Sequence, residues 1–183
     1  MNDVVQTIFD RNSCRHFSPA PLQKDQVETL VKTALAAPSA VNRQPWHIIA
    51  LTNKALIEEM DQYMLGNIQA TNPDWYAKIV ERGGKIFYDS PCLIVVATDG
   101  SDYAPIDAGI AVQNMALAAH SMGLGSVICG MARAAFEGER GEEFKSRLQF
   151  PAGYGFGMSI CVGTVLTDKE PHPLDFAKAT YID

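Results

Sequence analysis

Arg11-Asn12-Ser13-Cys14-Arg15 and, further along, Ala37-Pro38-Ser39-Ala40-Val41-Asn42-Arg43-Gln44-Pro45-Trp46 are the two stretches from which this chain is read. In an extended segment alternate side chains share a face, so Arg11, Ser13 and Arg15 converge on one side. On a helix Arg11 and Arg15 would still be neighbours one turn apart, but Ser13 would swing away. Two guanidiniums and a hydroxyl offer forked, charge-assisted donors that suit a phosphate. The competing reading is solvated surface charge near a terminus.

The second stretch follows a helical stripe of Val27, Leu30, Val31, Ala34 and Leu35. Pro38 disfavours helical geometry at Ala37, so the helix stops there. Ser39, Asn42 and Gln44 then lie on a loop, where short polar side chains and freed backbone amides can meet the edge of a flat heterocycle. Ordinary turn chemistry would also use these residues. The two stretches together suit a ligand with an anionic tail and a flat ring rich in hydrogen-bonding edges, which describes a flavin mononucleotide.

In this order the motifs resemble those of the nitroreductase family, Arg-x-Ser-x-Arg followed by Ala-Pro-Ser-x-x-Asn-x-Gln-Pro-Trp. Further matches are Asp107-Ala-Gly-Ile-Ala-Val-Gln-Asn-Met115 entering a long helix, Gly123-Leu-Gly-Ser126 leaving it, and Gly153-Tyr154 before a strand ending at Val162-Gly163. The resemblance implies FMN as cofactor, NADH or NADPH as reductant, a small flat acceptor such as a nitroaromatic or quinone, and a homodimer with equivalent sites at its interface. It implies that Arg11, Asn12, Ser13 and Arg15 hold phosphate and ribityl groups. Pro38, Ser39, Ala40, Asn42 and Gln44 would close on the ring from the partner subunit. A backbone amide among Ile128, Cys129 and Gly130 would meet the hydride-accepting nitrogen. Family members usually complete the phosphate site with a cation after the final strand. Here the tail offers Lys169 first and His172 second. No side chain is nominated as a catalytic acid, because the flavin itself carries the hydride chemistry.

At 183 residues the chain has the length of one domain, spanning 1–183, and can bury a sizeable core. Its net charge of −6 opposes a nucleic-acid role, since such binding depends on a basic face. Cys14, Cys92, Cys129 and Cys161 show no paired spacing, and no amino-terminal apolar stretch resembles a signal peptide. A reducing cytoplasm is expected. The most apolar helical stretch, 106–122, is interrupted by Asp107, Gln113, Asn114 and His120, and is too broken to span a bilayer. It is apolar around most of its circumference, so either it is a central core helix or a second subunit covers part of it.

Other chemistries lack their patterns. Gly123-x-Gly125 follows a helix and lacks dinucleotide spacing, and Gly83-Gly84-Lys85 lacks that of a phosphate loop. The four histidines and four cysteines show no metal-ligand spacing. No serine stands in a nucleophile elbow. Cys129, without a resolving partner nearby in sequence, reads as a small core residue.

Along the chain, Asn2 or Asp3 caps a first helix that turns Val5, Ile8 and Phe9 inward. His47 to Leu51 reads as a short buried strand, and Lys54 to Leu65 as a helix. Residues 66–85 read as an irregular, mobile or substrate-covering section holding a short helix. Cys92 to Thr98 is an apolar run typical of a strand buried on both faces. Strands also start at Val127 and cover Phe156 to Val165, with a charged helical stretch between them. The expected fold is α+β, a central mixed, mainly antiparallel sheet flanked by helices. A non-catalytic module that stores or senses FMN is the alternative function, and specialised flavin chemistry under an ordered lid is a third.

Overall fold

β2 (Cys92–Thr98) is buried at every position and forms the middle of the structure. In the computed structural model, which describes residues 2–167 and 169–182, it lies between β1 (Trp46–Leu51) and β4 (Gly155–Gly163). β3 (Gly125–Ile128) completes a four-stranded sheet in the order β1-β2-β4-β3. All three strand pairs are antiparallel, and among the described residues a parallel component enters only through an isolated bridge between Ser13 and Ser126.

Because side chains alternate across a strand, β2 feeds two cores. Leu93 and Val95 face one side, with Met60 and Met64 of α3 (Lys54–Thr71) and Phe144 of α7 (Gly141–Arg147). Ile94 and Val96 face the other, with Leu30 and Ala34 of α2 (Lys24–Leu35) and Ala108, Ala111 and Met115 of α5 (Ala104–Ser121). Each fully buried side chain of this size contributes about 1.5–3 kcal/mol. Small residues on α5 let it lie close to the sheet. Gly157, the extra residue at a bulge opposite Val96 and Ala97, has no room for a Cβ, which would lie 2.9 Å from Val96 O and 3.2 Å from Ala108 Cβ.

Three expectations are corrected. α1 (Asp3–Asp10) is capped by Asn2 as expected, but its apolar residues are not inward: Val4, Val5, Ile8 and Phe9 are all exposed. β1 is a half-exposed edge strand, not a buried one. Residues 66–85 hold the expected short helix, α4 (Pro73–Glu81), but they are mostly helical and not irregular, because α3 runs on to Thr71 and α4 follows at once. Asn72 ends one helix and starts the next: its N–H donates to Ile68 O, and its side chain accepts from Trp75 N, with proline at the first helical position. α5 packs as a core helix along the face from Ala104 to Ala119, and its other side is open. Ile106 is 60% exposed, and Ile110 is only partly buried.

α3 and α7 are tied by ions as well as by packing. Arg147 makes a forked pair with Glu59 at 2.8 and 2.9 Å, and Arg140 joins both Glu59 and Glu143. Hydrogen bonds from Arg147 and then Arg140 hold the Glu59 carboxyl at about 2, below its ordinary 4.5. A depressed carboxylate stabilises the fold above its unfolded value, and that contribution disappears as pH falls from about 4.5 towards 2. Glu59→Gln is therefore expected to lower the thermal midpoint at neutral pH, with the gap to the wild type closing across this acid window. A gap that stays constant with pH, followed by circular dichroism, would contradict the assignment.

Candidate functional site

The segment from Arg11 to Phe17 is extended, as its alternation requires. Ser13 bridges Ser126 of β3, Cys14 N donates to Ser126 O at 2.9 Å, and Phe17 bridges Val165 beyond β4. Cys14 and Phe17 are buried against the sheet. Gly125 permits this approach, since a Cβ there would lie 2.8 Å from Cys14 Cβ and 2.6 Å from Val165 Cγ2.

The arginines of this segment enter adjoining clefts. Arg11 and Asn12 line one of about 220 Å³ together with His120, Ser126 and Lys169. Ser13 and Arg15 line another of about 580 Å³ together with His16, Arg82 and Lys169, and with Glu81 as its one carboxylate among the described residues. Lys169 and Thr167 border both, so the tail cation connects the two. His172 borders neither. The smaller cleft suits an anion: among the described residues no carboxylate lines it, and Ser126 Oγ is buried without a hydrogen-bond partner. In an acidic chain this is a local concentration of positive charge.

Arg82 was missed in the sequence because it sits at the end of α4, inside the stretch read as irregular. Its spacing from Trp75 was the available signal: the guanidinium lies 5.9 Å from the indole centroid, two helical turns along one face. Arg15 lies at the same distance from the Tyr88 ring. The backbone beside Tyr88 is fixed by buried Asp61, whose Oδ1 accepts from Ile86 N at 2.9 Å and Phe87 N at 2.8 Å. Burial pushes the Asp61 carboxyl up, against those amides.

β3 ends at Ile128 beside this region. Cys129 N donates to Ser159 O at 2.8 Å, so its amide is already engaged, whereas Gly130 is exposed at the start of a short 3₁₀ turn. The Cys129 thiol is buried in the core, as expected. A hydrogen bond from the Cys161 thiol, supported by the amides of Ala132 and Met131, holds its pKa below the ordinary range despite burial.

The loop after α2 lies elsewhere. Pro38 leads into a tight turn in which Val41, Asn42 and Gln44 all have positive φ, at 48, 54 and 51°. Such backbone costs about 1–2 kcal/mol per residue, and is least natural for β-branched valine. Ala40 N donates to both oxygens of Asp107 at 3.2 and 3.4 Å, Gln44 N to Ser39 Oγ at 2.9 Å, and Gln44 Nε2 to Asn42 Oδ1 at 3.1 Å. Arg43 pairs with Asp99 at 3.1 Å. Val41 stands 97% exposed at the tip.

Within the chain the loop and the arginine segment do not meet. The loop joins the Thr98 end of β2, where Asp99 N donates to Pro45 O, and the first turn of α5. The arginine segment joins the opposite end, where β4 runs out at Gly163 and α5 gives way to Gly123. From Asp107 to His120 the helix rises about 20 Å.

Comparison with known proteins agrees with this architecture. A nitroreductase with bound FMN from Desulfitobacterium hafniense superposes with a TM-score of 0.96 at 41% identity, covering 100% of both chains. A nitroreductase with bound FMN from Bacteroides fragilis gives a TM-score of 0.90 at 21% identity over 100% of both chains, a likeness of fold. In sequence the chain is similar to a putative NADH dehydrogenase/NAD(P)H nitroreductase of Methanothermobacter thermautotrophicus, 30% identical over 70% of this chain and 61% of that protein. It is also similar to an FMN reductase (NADPH) of Bacillus subtilis, 29% identical over 73% of this chain and 56% of that protein. The matches thus span less than two thirds of the length of these two relatives. A model of the Nitroreductase family matches residues 8–164, which include the arginine segment, the strained loop and all four strands, and on this match the chain belongs to the nitroreductase family.

Proposed function

We propose that this protein is an FMN-dependent oxidoreductase that takes hydride from NADH or NADPH and delivers it to a small flat acceptor such as a nitroaromatic or quinone. The observation that carries the reading is the pair of cationic clefts joined by Lys169, with the orphaned Ser126 hydroxyl in the smaller one. The names of similar proteins point the same way, among them an NADPH-flavin oxidoreductase of Vibrio harveyi and the FMN reductase of Bacillus subtilis.

Arg11, Asn12 and Lys169 would hold the phosphate through charge-assisted donors, with Ser13 and Arg15 continuing along the larger cleft. In the stretch Ile128 to Gly130, Gly130 is the best-placed amide for the ring, because that of Cys129 is engaged by Ser159. When bound, FMN accepts and returns hydride, while the protein sets position, polarity and access.

The proposal includes a homodimer. Pro38, Ser39, Ala40, Asn42 and Gln44 lie too far from Arg11 to share its ligand within one chain. A second copy related by a twofold axis would bring its loop to the other's arginines. The exposed apolar faces of α1 and α5 are the surface such a copy would cover. Among the described residues no helix is long and apolar enough to cross a membrane, and the four cysteines are unbonded, which suits the proposed reducing cytoplasm.

Titration with FMN is expected to give a yellow protein with one flavin per chain that, without oxygen, turns over NADH or NADPH only when a quinone or nitroaromatic is added to reoxidise the flavin. Protein that stays colourless refutes the proposal, and flavin bound without turnover assigns the storage alternative. Lys169→Ala should weaken FMN binding about tenfold or more, the loss of a charge-assisted bond worth about 1.5–3 kcal/mol. His172→Ala should leave it unchanged in the same fluorescence titration. The reverse order would transfer the phosphate contact to His172.

A further inference from the structure

Asp107 is 3% exposed in the first turn of α5, and among the described residues no lysine, arginine or histidine forms an ion pair with it. A carboxylate is costly to bury unless its oxygens are satisfied. Both oxygens accept from the same donor, Ala40 N, across 67 positions of sequence.

Ala40 opens the turn that carries three non-glycine residues in the left-handed region. Strain of this kind persists only where surroundings over-determine the backbone. The Ser39–Gln44 bond ties the turn to itself. The Arg43–Asp99 pair is solvent-exposed on the arginine side, and such pairs fix little. The bond to Asp107 is the tie that reaches a buried carboxylate on a core helix.

We infer that Asp107 is a positioning residue, holding the Pro38–Gln44 loop in its strained, preformed shape so that Val41 and the side-chain carboxamides of Asn42 and Gln44 are presented outward to a flavin site on a second copy of the chain. The destination of the loop rests on the function proposed above, but its fastening does not. Preforming the loop removes the ordering cost that a flexible one would pay on binding.

Hydrogen exchange on the flavin-free protein tests the fastening. Asp107→Ala is expected to speed exchange at residues 38–45 while the amides of α2 and β2 keep their protection. Asp107→Asn, which retains an acceptor oxygen, should restore the slow rates. In flavin titrations Asp107→Ala should bind FMN about tenfold more weakly, and Asp107→Asn close to the wild type. Unchanged exchange at 38–45, or acceleration spread equally over α2 and β2, overturns the inference. If Asp107→Ala does not fold, Ala40→Pro deletes the donor from the loop side, where extended Ser39 tolerates a following proline. It is read by the same exchange criterion. A wild type that binds no FMN would overturn the proposed function, whereas the exchange result would still decide whether Asp107 holds the loop.

Discussion

The antiparallel register of β2 against β1 and β4 is the constraint on which the rest depends. Trp46 is opposite Thr98, and Cys92 is opposite Val162, so the two strands flanking β2 assign the polar segments of this chain to opposite ends of one sheet. The loop that opens β1 can only be at the Thr98 end. The arginine segment, bridged to Ser126 and Val165, can only be at the other. A one-residue slip is excluded because every residue of β2 is buried, and a slip would exchange the side chains that face the two cores.

From this separation follows the logic of the proposed site. An acidic chain gathers Arg11, Arg15, Arg82 and Lys169 around two clefts, where an anionic ligand would relieve their mutual repulsion. The donors are held by backbone, since the arginine segment is stitched to β3 and to the continuation of β4. The loop is fixed just as firmly, but it points away from its own chain. Each half is preorganised, and under the proposed function neither is complete without a second copy.

Much of this was legible in the residues. The alternation of Arg11, Ser13 and Arg15 pointed to an extended segment, and Pro38 marked the end of α2. The unbroken apolar run from Cys92 to Thr98 identified the central strand. The misreadings have a common physical origin. An apolar helical stripe looks the same whether its own chain or another covers it, so Val5, Ile8 and Phe9 gave no sign of their exposure. An apolar strand likewise does not reveal whether it is central or at an edge, which is why β1 was misplaced. Asn72-Pro73 carries both turn and helix-start chemistry, so the short helix expected inside 66–85 had no clear bounds and Arg82 at its end went unread. The left-handed backbone at Val41 runs against the preference of its side chain. It exists because Asp107, far away in sequence, accepts the neighbouring Ala40 N–H.

The central claim, that one flavin site takes its arginines from one chain and its loop from another, is tested most directly by combining two deficient variants. Arg11→Ala and Asn42→Ala, each purified alone, should lack tight FMN sites. Co-expressed and randomly paired, they should regain tight binding in about a quarter of sites, because half of the dimers are mixed and each mixed dimer has one undamaged site. A co-expressed sample that binds no better than the separate variants would contradict the account.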